Sequence, residues 1–480
     1  MPKHTVLIEV MDGAPQAFKL HAAARESLRE SESQVEKLAK GLAGLGVDID
    51  ASFPPVPMFF GLDKPSKTHL EAFGTFAAAT ESSDAKSASF VLRAEVDAPA
   101  LKKLKQRQGV RVYPASRLYL FAPCSCGGSP AAPALDGGRR ETVDDELELD
   151  WGHTAGSTDC RPFRAGVSMA RIRALLGVSA VWRDGFRGQN VVVAIVDEGA
   201  NGAQYPVIGG YAGSDAPAPG SAPVTSHGSM CAADVLVAAP FAKLYDYPLI
   251  AEATSAEGFQ MYQQILNQRR TNGTPQVTSN SYGFYGIPTR QDSPEHEAWD
   301  INHPFHRKVR EVVASGAAVF FAAGNCGTDC PSGNCRDSAI GPGRSINASA
   351  ALAEVFTIAA VNSRHERVGY SSQGPSLHSH GFAANKPDFA SYTHFFGNFG
   401  PGRPGGTTSP FDNGTSAATP TAAGVAALLL SRFRTLKPDR LREAFKAGAI
   451  EIGQPGWDAL TGSGVVNAAA AYARLLEGEA

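Results

Sequence analysis

The chain has 480 residues, of which 43% are hydrophobic and 19% are charged, and its formal net charge is −3 at pH 7. This length exceeds one typical domain and the composition is that of an ordinary globular protein, so we expect at least two folded units. Because there is no basic excess, the composition gives no support for a nucleic-acid partner or for binding to an anionic membrane surface.

The N-terminus lacks the stretch of about 7 to 15 apolar residues that a secretory signal needs. The sequence also contains no run of about 18 apolar residues, which a membrane span would need. The seven cysteines are an odd number, so at least one thiol is unpaired within the chain. These features favour a reducing, cytoplasmic location, although unconventional export would leave no such mark.

Residues 1–121 are predicted to form a small α+β domain of ferredoxin-like type. Its predicted strands cover 5–10, 89–96 and 109–113, and its predicted helices cover 31–45 and 99–107. From 122 to 166, glycine, proline and like-charged residues are too dense to bury a core. We interpret this stretch as a flexible linker and as the region where processing would occur.

Residues 167–480 alternate strands with helices, which predicts an α/β fold: a doubly wound, mostly parallel sheet with helices on both faces. The apolar run 191–196 is typical of a strand buried on both sides. Further strands are predicted over 242–247, 276–281, 317–323 and 355–361, the last two completing the sheet. Helices are predicted from about 227 and over 258–270, 306–315, 416–432, 439–447 and 466–476.

Peptide hydrolysis needs a nucleophile, a base beside it, a carboxylate that orients the base, and donors for the oxyanion. Asp197 follows the buried strand at its C-terminal end, where open α/β sheets place their active sites. His227 stands at the predicted start of a helix, which would aim its imidazole out of the sheet edge. They are the candidate orienting carboxylate and base.

The remaining parts are predicted at two later positions. Asn325 ends a predicted strand, so its amide could reach a developing oxyanion. Ser416 opens a long apolar helix behind Gly414 and Thr415, so its backbone N–H is a free donor beside its own Oγ. Ser416 would thus supply both the nucleophile and a second oxyanion donor.

These four positions lie in segments that resemble the signature motifs of the subtilisin family, in the family's order. The segments are Asp197-Glu198-Gly199, His227-Gly228-Ser229, Ala322-Ala323-Gly324-Asn325 and Gly414-Thr415-Ser416-Ala417-Ala418-Thr419-Pro420. The resemblance covers about residues 167–476 and implies a serine endopeptidase with an Asp-His-Ser triad and Asn325 as oxyanion donor.

The resemblance also implies where substrates bind. One segment resembles the edge to which the family's substrates add as a β-strand, and another borders the pocket for the residue before the cleaved bond. The first is Ser281, Tyr282 and Gly283, and the second is Ala322, Ala323 and Gly324.

Residues 89–113 resemble the second half of the inhibitory prodomain that precedes subtilisins. We therefore expect residues 1–121 to fold against the substrate-binding face as an intramolecular inhibitor, in a precursor that is later cut within the linker. Residues 167–480 would then be the catalytic domain.

Four cysteines lie near the candidate site. By resemblance, Cys231 lies beneath the catalytic histidine and could make the enzyme sensitive to thiol reagents. Cys326, Cys330 and Cys335 lack a clear fourth ligand for zinc, so we interpret them as unpaired thiols, or as one disulfide under oxidising conditions.

Other candidate ligands are less informative. His303 and His306 are expected to lie exposed in loops. The family often binds calcium, but such sites have no compact sequence signature and none is assigned here, so the sequence predicts no metal site.

The leading function is hydrolysis of protein or peptide substrates without a cofactor. A first alternative is a peptide ligase or macrocyclase, in which an amine resolves the acyl-enzyme, and the unusual segments 326–335 and 395–409 motivate it. A second alternative is a binding module that keeps the fold and has lost catalysis.

Overall fold

The computed structural model describes residues 3–11, 42, 46–53, 55–58, 89–121, 166–213, 215–250, 252–377 and 381–478. The chain forms two compact units: unit 1 comprises 1–118, 252–271 and 288–315, and unit 2 comprises 119–251, 272–287 and 316–480. The helix predicted over 31–45 lies outside the described residues apart from Leu42, and the linker 122–166 lies outside them apart from Gly166. The division into prodomain, linker and catalytic domain stays a prediction.

The strands are, in chain order, β1 (His4–Met11), β2 (Val47–Ile49), β3 (Val56–Met58), β4 (Ser89–Val96), β5 (Val110–Pro114), β6 (Tyr119–Leu120), β7 (Val167–Ser168), β8 (Val192–Asp197), β9 (Val207–Gly210), β10 (Lys243–Pro248), β11 (Val277–Asn280), β12 (Tyr282–Gly283), β13 (Ala318–Ala322), β14 (Phe356–Val361), β15 (Phe389–Tyr392) and β16 (Phe395–Phe396). The α-helices are α1 (Ala98–Lys105), α2 (Met169–Leu176), α3 (Val178–Arg183), α4 (His227–Ala238), α5 (Ser255–Asn272), α6 (Pro304–Ala314), α7 (Thr415–Arg432), α8 (Pro438–Gly448) and α9 (Ala468–Glu477). Within the described ranges, no helix is long and apolar enough to cross a membrane.

Unit 1 contains a small antiparallel sheet in the order β2-β4-β1-β5, with β3 also beside β4. Val6, Ile8 and Val10 of β1 are buried in one apolar cluster with Leu104 of α1. Because alternate residues of a strand point to the same face, this spacing explains why α1 packs on that face of the sheet.

Unit 1 also joins the small sheet to α5 and α6 through buried charges. Glu9 of β1 is fully buried and pairs with Arg307 of α6, Nη1 to Oε1, at 2.8 Å. Arg93 of β4 forms an ion pair with Glu257 of α5. Burying a charge is costly unless it is paired, so these contacts specify how strands and helices meet within unit 1.

Two histidines in this unit correct the sequence analysis, because His303 and His306 are fully buried instead of exposed in loops. His303 Nδ1 accepts a hydrogen bond from the Phe305 N–H at the start of α6, and its Nε2 lies 2.9 Å from the Pro114 carbonyl oxygen. His306 Nε2 lies 2.6 Å from the carbonyl oxygen of Glu297, a fully buried residue. A histidine next to a helix start caps it, which the sequence pattern alone did not reveal.

Burial and the neighbouring His303 lower the pKa of His306 to about 3. Burial alone would raise the pKa of Glu297, but His303, His296 and the hydroxyls of Ser116 and Ser255 lower it to about 2. Both groups bind protons more tightly in the unfolded chain, so unit 1 loses stability from His306 below about pH 6.5 and from Glu297 below about pH 4.5.

We predict that His306→Gln weakens this acid sensitivity, because glutamine keeps a donor for the Glu297 carbonyl and does not titrate. The protection of the β1 and β4 amides against hydrogen exchange, corrected for the slower intrinsic exchange at lower pH, should fall less between pH 7.5 and pH 5 than with His306 intact. His4→Gln, at an exposed position of β1, is the matched control and should leave the fall in protection unchanged. An identical fall in protection in the His306 variant would contradict the prediction.

Unit 2 contains a parallel sheet in the order β15-β14-β13-β11-β8-β10-β9. The predicted α/β fold is confirmed, and the predicted strands agree with the observed ones to within about one residue. The prediction that β13 and β14 complete the sheet is wrong, since β15 lies beyond β14 and β9 lies beyond β10. Each missed strand has only four residues, and β9 ends in two glycines, so neither has a distinct apolar pattern.

Helix α7 lies at the centre of unit 2 and packs against α4 and several strands of the sheet. All its residues except the last are buried, which explains its alanine-rich sequence. A side chain at Gly424 would collide with the Val235 backbone of α4, so glycine permits the close approach of the two helices. This contact brings together the helices that carry Ser416 and His227.

Candidate active site

Asp197 and His227 meet at the carboxyl end of the sheet, as the sequence predicts. Asp197 is the last residue of β8, and His227 is the first residue of α4, which Ser226 caps. Asp197 Oδ1 lies 2.8 Å from His227 Nδ1. Because this carboxylate is buried beside the ring, it favours the tautomer with a proton on Nδ1 and leaves Nε2 free to accept one.

Glu198 adds a second carboxylate beside the imidazole. Its side chain accepts a hydrogen bond from the backbone N–H of His227. Burial by itself would lower the pKa of His227, but Asp197 and Glu198 raise it above its ordinary value. A raised pKa makes the imidazole a stronger base.

Cys231 lies one helical turn after His227, with its Sγ 3.6 Å from Asp197 Oδ2 and 4.0 Å from His227 Nδ1. The three side chains are close enough to share a metal ion. However, the Asp197 carboxylate and the imidazole are already at hydrogen-bonding distance. Burial raises the pKa of Cys231 well above its ordinary value. Cys231 therefore stays a thiol, which disfavours its reaction with thiol reagents.

Ser416 is the second residue of α7, and its Oγ donates a hydrogen bond to the Phe121 carbonyl oxygen at 2.9 Å. Within the described part of the chain, His227 Nε2 has no hydrogen-bond partner. The hydroxyl is therefore directed at a peptide carbonyl group, and His227 Nε2 can still accept a proton.

Asn325 lies just beyond the end of β13, and its Nδ2 donates to the same Phe121 oxygen at 3.2 Å. The amide has a fixed orientation, because its Oδ1 accepts hydrogen bonds from the backbone N–H and the hydroxyl of Thr415 at 3.0 and 2.9 Å. The carbonyl oxygen of Phe121 thus lies where the sequence analysis expects an oxyanion to form.

Residues 119–121 lie along the segment predicted to bind substrate. Strand β6 is antiparallel to β12, with Leu120 opposite Tyr282 and Tyr119 opposite Gly283. The Phe121 N–H donates to the Ser281 carbonyl oxygen at 3.0 Å. This part of the chain itself extends the edge by one strand, as a bound peptide would.

The Phe121 side chain occupies an apolar pocket with Ala322, Cys326 and Tyr285. A side chain at Gly283 would collide with the ring, so only glycine leaves this space open. Of the residues predicted to border the pocket, Ala322 and Gly324 lie beside Phe121, whereas the Ala323 N–H donates to the Ile358 carbonyl oxygen in β14.

A disulfide joins Cys326 to Cys335 beside the pocket. It closes the unusual segment 326–335. Of the two interpretations that the sequence left open for these cysteines, unpaired thiols or a disulfide, the structure has the disulfide. Cys330 is also disulfide-bonded, and among the described cysteines Cys231 is a free thiol.

The segment 395–409 is anchored by the buried carboxylate of Asp412. Asp412, four residues before Ser416, accepts hydrogen bonds from the N–H groups of Asn398 and Phe399 at 2.6 Å each. Asp234, on the helix that begins at His227, is fully buried next to it. Burial and the Asp412 charge raise the pKa of Asp234 well above its ordinary value, whereas burial raises the pKa of Asp412 to about 6.

Sequence reasoning missed three contributors to this site: Phe121, Tyr285 and the acidic residue Asp234. Phe121 immediately precedes the predicted linker, and this position is the sequence feature that could have indicated its role. No sequence pattern distinguished Tyr285 or Asp234 from ordinary core residues.

A model of the subtilase family of peptidases matches residues 188–464, more than half of the chain. The chain therefore belongs to the subtilase family, which are serine peptidases.

Subtilisin DY from Bacillus licheniformis is 27% identical over 307 residues, covering 62% of this chain and 96% of that protein. Subtilisin E from Bacillus subtilis is 27% identical over 308 residues, covering 61% of this chain and 68% of that protein. Fervidolysin from Fervidobacterium pennivorans, a keratinolytic enzyme related to subtilisin, has a solved structure that matches with a TM-score of 0.55 at 17% identity. That match covers 98% of this chain and 61% of that one, and it confirms the subtilisin-like fold.

We predict that Asp234→Asn stabilises the protein increasingly as the pH rises. A carboxyl group with a raised folded-state pKa binds its proton more tightly when folded, so its stabilising contribution is complete at low pH and is lost above the unfolded value of 3.8. Asparagine has no proton to lose and can still donate to Asp412. In thermal melts, Tm of the variant minus Tm of the wild type should be larger at pH 8 than at pH 5.

Asp412→Asn is the matched control for this prediction. An amide offers one acceptor oxygen where the Asp412 carboxylate uses two, so this variant should lose about 1–3 kcal/mol of stability by leaving a buried N–H unpaired. A Tm difference for Asp234→Asn that shrinks with rising pH would contradict the prediction.

Proposed function

We propose that this subtilase is a serine endopeptidase with Asp197, His227 and Ser416 as its triad and Asn325 as oxyanion donor. One observation carries the proposal: Ser416 Oγ and Asn325 Nδ2 both contact the Phe121 carbonyl oxygen, within 3.2 Å. The pairing of Asp197 with His227 supports it, because a binding module that has lost catalysis would not need an oriented base.

In the proposed mechanism, Ser416 Oγ attacks the substrate carbonyl carbon while His227 Nε2 takes the hydroxyl proton. Asp197 stabilises the imidazolium, and Asn325 Nδ2 with the Ser416 N–H stabilises the negative oxygen. His227 then protonates the leaving amine. In the second half of the reaction, water attacks the acyl group with His227 as the base, and Ser416 Oγ leaves and takes the proton back from His227. The chemistry uses only groups of the chain itself, so no cofactor is required, and calcium would serve structure alone.

We further propose that the chain is made as a self-inhibited precursor, with residues 119–121 occupying the cleft before and after cleavage of the Phe121–Ala122 bond. The pairing of β6 with β12 and the position of the Phe121 carbonyl support this proposal. The N-terminal domain would therefore be an intramolecular inhibitor, and protein or peptide chains would be the substrates.

The proposed location needs one adjustment. The sequence analysis expects a cytoplasmic location, whereas the Cys326–Cys335 disulfide is typical of proteins that fold in oxidising compartments. The disulfide therefore favours export over the cytoplasm.

We predict that Ser416→Ala abolishes both the reaction with a fluorophosphonate and the cleavage of the chain before Ala122. A fluorophosphonate should label the wild type and leave this variant unlabelled, and mass spectrometry should find a fragment beginning at Ala122 in the wild type alone. Ser409→Ala, at another buried serine, is the control and should retain both reactions. Labelling of Ser416→Ala would refute the assignment. Products that gain no water on a defined peptide would point to ligation instead of hydrolysis.

We predict that Glu198→Gln shifts the acidic limb of the pH profile of kcat/KM to lower pH. The Glu198 carboxylate is one of the charges that raise the pKa of His227, and His227 must be neutral to accept the Ser416 proton. Glutamine removes the charge and keeps an oxygen for the His227 N–H. A limb that stays in place, or moves to higher pH, would show that Glu198 does not tune the base.

A further inference from the structure

Tyr285 contacts each residue of the bound segment 119–121. Its ring lies edge-on to Phe121, with centroids 5.7 Å apart, and tilted against Tyr119 at 5.4 Å. Its hydroxyl donates a hydrogen bond to the Leu120 carbonyl oxygen at 3.0 Å. A single side chain therefore contacts two side chains and the intervening backbone of the peptide.

The geometry of an extended peptide explains how one ring can contact both aromatic residues. Alternate side chains of a strand point to the same face, so Tyr119 and Phe121 project to the same side, with Leu120 between them. Aromatic rings at these separations in tilted or edge-on arrangements attract each other beyond the burial of their apolar area.

The backbone of Tyr285 is held independently of residues 119–121. Its carbonyl oxygen accepts a hydrogen bond from the Arg336 N–H at 2.8 Å. Arg336 directly follows Cys335, so the disulfide-closed segment supports the residue that contacts the peptide. A residue whose backbone is already held loses less entropy when a peptide binds, which strengthens its contribution to selectivity.

The pocket around Phe121 favours an aromatic residue for a separate reason. Gly283 leaves room for a ring, and Ala322, Cys326 and Ile340 provide apolar contacts. A charged side chain there would lose its hydration without a partner of opposite charge among these neighbours.

We propose that Tyr285 is a specificity-determining residue, which selects peptides with an aromatic residue at P1, the position whose carbonyl is attacked, and a second aromatic residue at P3, two positions earlier. This inference rests on the proposed function and names its substrate class. The preferred sequence is aromatic-Xaa-aromatic followed by the cleaved bond, as in Tyr119-Leu120-Phe121.

The test uses the enzyme processed from the full chain and four blocked tripeptide p-nitroanilides: Tyr-Leu-Phe, Ala-Leu-Phe, Tyr-Leu-Ala and Ala-Leu-Ala. For the wild type, we expect kcat/KM to be about tenfold higher with tyrosine than with alanine at P3, the size of a favourable aromatic pair. Phenylalanine at P1 should exceed alanine on the order of 10²-fold, because it buries a whole ring.

Two variants separate the contacts of the ring from the hydrogen bond of the hydroxyl. Tyr285→Ala should reduce the P3 ratio to within about twofold of one, because the ring that contacts P3 is gone. Tyr285→Phe is the matched control: it should lower kcat/KM for all four substrates by roughly three- to tenfold through loss of the bond to the P2 carbonyl, while preserving the P3 ratio. Fluorophosphonate labelling of Ser416 in each variant reports whether the catalytic centre is intact.

A P3 ratio near one in the wild type, or an undiminished ratio in Tyr285→Ala, would overturn the inference while labelling of Ser416 leaves the proposed function standing. If the folded wild type neither reacts with the fluorophosphonate nor cleaves any substrate, the proposed function fails and the inference fails with it. A Tyr285→Phe variant that loses the P3 ratio would also overturn the role given to the ring.

Discussion

The carbonyl oxygen of Phe121 accepts hydrogen bonds from Ser416 Oγ and Asn325 Nδ2, and the arrangement of unit 2 converges on this atom. Asn325 reaches it because β13 ends nearby, and Ser416 reaches it because α7 begins beside the same sheet edge. Thr415 connects the two donors, since it precedes the serine and binds the amide oxygen of Asn325. A shift of α7 along its axis would therefore displace the Ser416 hydroxyl and misorient the Asn325 amide together.

Buried ionisable groups give the two units opposite responses to pH. In unit 1, His306 and Glu297 favour folding when deprotonated, so acid weakens this unit. In unit 2, the Asp234–Asp412 pair favours folding when it retains a proton, so its contribution declines as the pH rises. Acid would thus loosen the unit that contains most of the N-terminal region while leaving the Asp234–Asp412 pair in its stabilising form.

The main strands and helices of unit 2 could be predicted from sequence because their apolar patterns are strong, as in the wholly buried strand β8. The four candidate catalytic residues were predictable because each lies near the end of a strand or the start of a helix, in a segment that resembles a signature motif of the family. The contacts of Phe121 were not predictable, since it lies 295 positions from Ser416 and only the folded chain brings them together. The burial of His303 was hidden for a similar reason, because its Nε2 partner, the Pro114 carbonyl oxygen, comes from a distant segment of unit 1.

The aromatic pocket constrains how the sequence of this protein can evolve. In the proposed self-processing, residues 119–121 and later substrates would use the same pocket, so each molecule would recognise its own sequence before it acts on another. A mutation at Gly283 or Tyr285 that redirects cleavage toward a new residue would then also impair maturation, unless Phe121 changed to match. Selectivity and self-processing would therefore be inherited as one trait, and variants with altered preference should carry paired substitutions in the pocket and at position 121.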